Sequence, residues 1–148
     1  MYLTGNTDDV DSHVYAEDGQ TRVVLLNTDW TSAGNCKRIT LHTEELQVPV
    51  SVREGYMKHI LLKDDVAVEF DMPSAIVEDL IRLKNTVRFT VQGSGSVTLS
   101  LYAAQTVASI TVDGEAAQLT GHALSVFCGD VWSEHVVEVI LAGKEEIV

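Results

Sequence analysis

Basic side chains are scarce in this chain: ten lysines and arginines stand against 22 aspartates and glutamates over 148 residues, a formal charge of −12. A field of that sign repels phosphate backbones and anionic membrane surfaces, so neither nucleic acid nor membrane is an expected partner. Cysteine is nearly absent. Cys36 and Cys128 are the only two, and without a Cys-x-x-Cys pair zinc and redox chemistry lose their usual support. Cys36 falls where a turn enters a strand and Cys128 continues the inward phase of Leu124 and Val126, which favours free thiols over a long-range disulfide. Long apolar runs are missing too: none approaches the roughly 20 residues of a membrane span. The first 15 residues are polar and acidic, unlike the basic and apolar regions of a signal peptide, and the compartment stays open.

Recognisable catalytic spacings are equally lacking. The five histidines, His13, His42, His59, His122 and His135, show no His-x-x-x-His pair, and no Gly-x-Ser-x-Gly elbow accompanies them. Gly93-x-Gly95 opens no helix and has no downstream lysine of the phosphate-loop kind. Asp9, Asp11 and His13 alternate like the first ligands of a calcium loop, but Val14 stands where that loop needs glycine and no bidentate Glu closes it. Acidic residues such as Asp18, Glu44, Asp64, Asp113 and Asp130 sit at expected turns, where solvated carboxylates are the default and paired catalytic acids the exception. The residues therefore name no catalytic group, no metal ligand and no cofactor.

What the chain does have is apolar content, 45% of its residues, and enough length to bury roughly 70% of its unfolded surface in one domain. That content is arranged at strand period. Arg22 to Trp30 carries four consecutive apolar residues, which predicts a central strand covered on both faces. Ser12 to Glu17 should pair with it antiparallel across Asp18-Gly19, behind a loose leader from Met1 to Asp11. Further strands are expected at Cys36 to Thr43, Leu46 to Val52, Tyr56 to Lys63 and Val66 to Asp71, with Pro49 confining its strand to an edge or an unpaired position.

Met72 to Lys84 breaks the rhythm. Ile76, Val77, Leu80, Ile81 and Lys84 recur at helical intervals after Pro73-Ser74, which predicts one short helix or crossover near 74–84. Thr86 to Gln92 and Val97 to Tyr102 then read as a hairpin around Gly93-Ser94-Gly95. Val107 to Val112, a short run ending near Leu119, Ala123 to Cys128 and Val131 to Leu141 complete ten or eleven strands. That is more than one flat sheet holds comfortably, so the expected fold is all-β: a two-layer antiparallel β-sandwich, immunoglobulin-like or jelly-roll-like, occupying residues 1–148 as one domain with a candidate subdivision near 72–84.

Two aromatic side chains stand out as candidate ligand platforms. Trp30 follows Asn27 and Asp29 at a strand end, and Trp132 follows the Gly129-Asp130 turn; an exposed ring beside Asp29 could stack on a sugar, although large rings at strand ends more often cap a core.

The run Val14-Tyr15, Asp18-Gly19 and Arg22 to Trp30, with Ile39-Thr40-Leu41 and Val48 to Tyr56 behind it, resembles the C-terminal β-sandwich domains attached to glycoside hydrolases and related carbohydrate-active enzymes. Val107 to Gly114, Leu124 to Phe127 and Val136 to Leu141 look like the closing strands of such a domain. The resemblance implies a non-catalytic accessory domain whose partner is the catalytic domain of the same polypeptide. Two other readings are a carbohydrate-binding module using Trp30, Asp29 and Trp132, and an adhesion or assembly module of immunoglobulin-like form.

Overall fold

A computed structural model describes residues 1–72 and 74–142. Those residues form fourteen strands and no helix. In chain order the strands are β1 (Tyr2–Gly5), β2 (Val10–Glu17), β3 (Gln20–Asn27), β4 (Cys36–His42), β5 (Gln47–Arg53), β6 (Met57–Lys63), β7 (Val66–Met72), β8 (Ile76–Leu83), β9 (Thr86–Gly93), β10 (Ser96–Ala103), β11 (Val107–Val112), β12 (Glu115–Ala117), β13 (Ala123–Phe127) and β14 (Ser133–Leu141). The all-β, sandwich-like expectation holds, while the count exceeds the ten or eleven strands expected and the two layers become three sheets. The middle sheet runs β13-β10-β7-β6-β3-β2; a three-stranded sheet, β1-β4-β5, and a five-stranded one, β12-β11-β14-β9-β8, complete the fold.

Strand alternation explains how the middle sheet serves two cores. Ile60 and Leu62 of β6 join Val23 and Leu25 of β3 against Ile39, Leu41, Val48, Val50 and Val52 of the three-stranded sheet. Leu61 points the other way. With Val66, Val68 and Phe70 of β7 it meets Val77, Phe89, Val91 and Val137 of the five-stranded sheet.

The strands covered on both faces are therefore β6, buried without a break from Lys58 to Leu62, and β7, buried from Val66 to Phe70. The Arg22 run is not one of them. In β3 only Val23, Leu25 and Asn27 are buried while Val24 and Leu26 are half-buried, because β3 lies next to the edge strand β2 and meets the five-stranded layer through Gln20 and Arg22 at its start.

The expected helix near 74–84 is instead β8, paired antiparallel with β9. Its ladder shifts between Glu78 and Ile81, and Asp79 sits at φ 57°. That bulge inserts an extra residue between two inward side chains, so Val77 and Leu80, three apart, both face the core. A bulged strand thus mimics the spacing of a helix. Pro73, where the helix was expected to open, lies outside the described residues.

Two further expectations change. β9 and β10 belong to different sheets, so Gly93 to Gly95 joins two layers instead of turning a hairpin. A Cβ on Gly93 would meet Val97 Cγ1 at 2.8 Å, which is the close approach that glycine permits there. The leader is not wholly loose either, since β1 pairs with β4 from Tyr2 opposite His42 to Gly5 opposite Ile39. The β2–β3 hairpin forms as expected, Glu17 opposite Gln20. Pro49 does sit on an edge strand, β5. Cys36 is exposed, Cys128 is buried and both are free thiols.

Candidate functional site

Strand register brings distant apolar residues to one end of the molecule. Across the middle sheet Asp11, Leu26, Met57 and Met72 lie in one row, and Val97 pairs with Val126 near the end of β13. The loops beyond that row hold Trp30 after β3, and Val131 and Trp132 between β13 and β14, while Phe127 ends β13. Trp30 is 67% exposed, Phe127 70%, Val131 73% and Trp132 49%, with Met57 also in solvent. Scattered surface apolar residues are ordinary, but both tryptophans of the chain and three further large apolar side chains lie exposed towards one end, Trp30 beside the three-stranded sheet and Trp132 against Gln92 of the five-stranded one.

Asp29 builds the loop that presents Trp30. Lys37 Nζ donates to its Oδ2 at 2.8 Å, and Thr31 donates to its Oδ1 through N at 3.0 Å and through Oγ1 at 2.5 Å. These partners, Lys37 first, hold its carboxyl well below the usual carboxylate range. Buried Asn27 anchors the same loop: its Nδ2 donates to Asn35 Oδ1 at 2.9 Å and to Val52 O at 3.0 Å, while its Oδ1 accepts from Asp29 N at 2.9 Å. Both Asp29 oxygens are thus engaged inside the loop, and the group left facing outward is the indole of Trp30.

The Trp132 indole N–H donates to Gln92 Oε1 at 3.4 Å, and the loop that carries it is closed by a polar chain that the sequence did not suggest. Ser133 Oγ donates to Cys128 O at 2.5 Å and lies 2.8 Å from His135 Nε2, and His135 Nδ1 lies 2.5 Å from Asp113 Oδ2. Asp113 Oδ1 accepts from Val136 N at 2.8 Å. The order Ser, His, Asp is that of a hydrolase triad, yet the proton inventory runs the other way. The serine hydroxyl gives its proton to the Cys128 carbonyl and accepts from Nε2, so the ring acts as a donor at both nitrogens. Asp113, first among the causes, holds the His135 pKa above its ordinary value, and the Asp113 carboxyl is lowered by the Val136 amide and then by His135. The chain works as a clip closing the Gly129–Trp132 loop. Only the spacing of Ser133 and His135, two apart and so on one face of a strand, was readable; Asp113 joins them through the β11–β14 ladder.

Consecutive residues of β6 carry the buried polar groups. Lys58 faces the three-stranded side and pairs with Glu69, and with Asp71 at 2.9 Å. Burial opposes its charge, but Asp71 and Glu69 outweigh burial and raise its pKa. His59 faces the opposite side, where Nδ1 accepts from Arg22 Nη1 at 3.1 Å and the ring stacks on Phe70 at 5.2 Å. Burial, then the Arg22 charge, lowers its pKa to about 4, and its buried Nε2 has no hydrogen-bond partner. Among the described residues no group of three or more His, Cys, Asp or Glu side chains is arranged to hold a metal ion. No family model, curated protein or solved structure matches the chain.

Proposed function

We propose that this chain is a non-catalytic accessory domain of a carbohydrate-active enzyme, and that it packs against and stabilises a catalytic domain of the same polypeptide. The observation that carries the reading is the exposure of Trp30, Met57, Phe127, Val131 and Trp132 towards one end of the molecule. Its two tryptophans stand on loops braced from within, Trp30 by Asp29 and Asn27 and Trp132 by the Ser133–His135–Asp113 clip. Apolar side chains on pre-ordered loops lose little entropy when a neighbour covers them. The strand pattern resembling glycoside-hydrolase sandwich domains supplies the enzyme class.

Amide exchange and tryptophan fluorescence, compared between this chain alone and the full-length product of its native reading frame, test the proposal. Protection of Trp30 and Trp132 in the full-length protein is expected. Equal exposure in both, or hydrolysis of glycosides by this chain alone, would overturn it. The exposure of Trp30 also favours a second reading, a carbohydrate-binding module in which that indole stacks on a sugar ring. Calorimetric titration with oligosaccharides separates the two, since sugar binding lost in Trp30→Ala would select the module.

A further inference from the structure

We propose that β2 is a strand-pairing edge that receives an extended, cationic segment of a partner polypeptide. Among the described residues the three sheets have six edge strands, and five of them are guarded. β12 has three residues, β1 four and β13 five, too short to template much pairing. In β5, Pro49 has no N–H to offer and its carbonyl accepts from Tyr102 OH at 3.2 Å. β8 is bulged at Asp79, and side chains of β3 take its open backbone groups: Leu80 N donates to Gln20 Oε1 at 2.9 Å, and Arg22 Nη2 donates to Val77 O at 3.4 Å.

β2 has none of these guards. It runs for eight residues without proline or lysine, and its six inner residues, Asp11 to Ala16, are exposed on both faces. Asp9 O accepts from Thr28 N at 2.7 Å, so strand alternation turns Asp11, His13 and Tyr15 towards β3 and leaves the N–H and C=O groups of Ser12, Val14 and Ala16 on the open side. Val14 lies on one face and Tyr15 on the other, which gives an added strand an apolar contact above and below.

Charge selects the occupant. Residues 1–21 hold no lysine or arginine; Glu17 is paired with Arg22 at 2.8 Å, and Asp8, Asp9, Asp11 and Asp18 lie in or beside the strand. A second copy of β2 would bring acid against acid on a chain that already carries −12. A strand rich in lysine or arginine meets the opposite sign.

The test uses the whole chain and two synthetic peptides as long as β2, one alternating lysine with valine and a twin alternating glutamate with valine. The basic peptide is expected to protect the Ser12, Val14 and Ala16 amides from exchange, with binding that weakens as salt is added, and the acidic twin to leave them unchanged. Val14→Pro removes an outward donor without touching the β3 ladder and should weaken binding about fivefold, the scale of one net hydrogen bond. Asp11→Lys keeps every ladder bond and should weaken binding of the basic peptide severalfold, narrowing its lead over the acidic one. Equal binding of both peptides, shifts elsewhere with β2 amides unchanged, or self-association through β2 without peptide binding would each overturn the proposal.

Discussion

The two cores on either side of the middle sheet are built from different stock. The core shared with the three-stranded sheet consists of eleven buried residues, all aliphatic, and beside it lies the Lys58–Glu69–Asp71 ion cluster. The core shared with the five-stranded sheet has twenty, including both buried phenylalanines, Phe70 and Phe89, and the nearby titratable ring is a neutral His59. The smaller layer thus keeps its buried ammonium between two carboxylates, whereas the larger one keeps its imidazole neutral and holds its cations at the margin, Arg22 over the Phe70 ring and Arg82 against Asp65.

Adjacent residues of β6 allow that contrast to be broken one side at a time. Lys58→Ala should have the largest effect, about 3–5 kcal/mol in denaturant unfolding, because it strands Glu69 as a buried charge. Lys58→Met together with Glu69→Gln should recover much of the loss. Ile60→Ala and Leu61→Ala should each cost about 2–5 kcal/mol. Amide exchange is expected to quicken first in β4 and β5 for the former and in β9 and β14 for the latter. The same order in both variants would show that the two cores open together.

Proton titration gives a smaller, signed test. His59 has a folded value of about 4 against an ordinary 6.5, so the unfolded chain takes up its proton first; its contribution is full above pH 6.5 and lost as pH falls towards 4. His135 is shifted the other way, and its contribution is full below the ordinary histidine value and lost as pH rises through the raised one. Histidine resonances followed by NMR should therefore titrate in opposite directions from the ordinary value, with Asp113→Asn moving His135 alone. Smallest of all, Trp30→Ala should alter stability within about 0.5 kcal/mol, since its indole is largely in solvent. A larger loss would mean that the indole packs into the loop it crowns.

Strand existence was largely legible in the residues because alternation is local, and the Asp18-Gly19 turn carried its own geometry. What the residues hid was partnership. Val77 and Leu80 read as helical because a bulge and a helix turn both place side chains three apart on one face. Gly93 to Gly95 read as a hairpin because turn residues mark a change of direction without saying which sheet comes next. The Arg22 run read as doubly covered, since apolar content does not report that β3 lies beside an edge strand. At the exposed end, Trp30 and Trp132 could be singled out as rings at strand ends, but Met57, Phe127 and Val131 join them only through the register of the sheets. The Ser133–His135–Asp113 clip was hidden for the same reason.

Lys58 and His59 have one more consequence. A strand that is greasy on both sides offers the folding chain no pattern by which to detect a slip of one position, because either alignment buries apolar groups. In β6 such a slip would exchange these neighbours, setting an ammonium against the Arg22 guanidinium and leaving Glu69 and Asp71 with an imidazole. Two cations would then face each other in a dry interior, so electrostatics proof-reads an alignment that hydrophobicity alone leaves ambiguous.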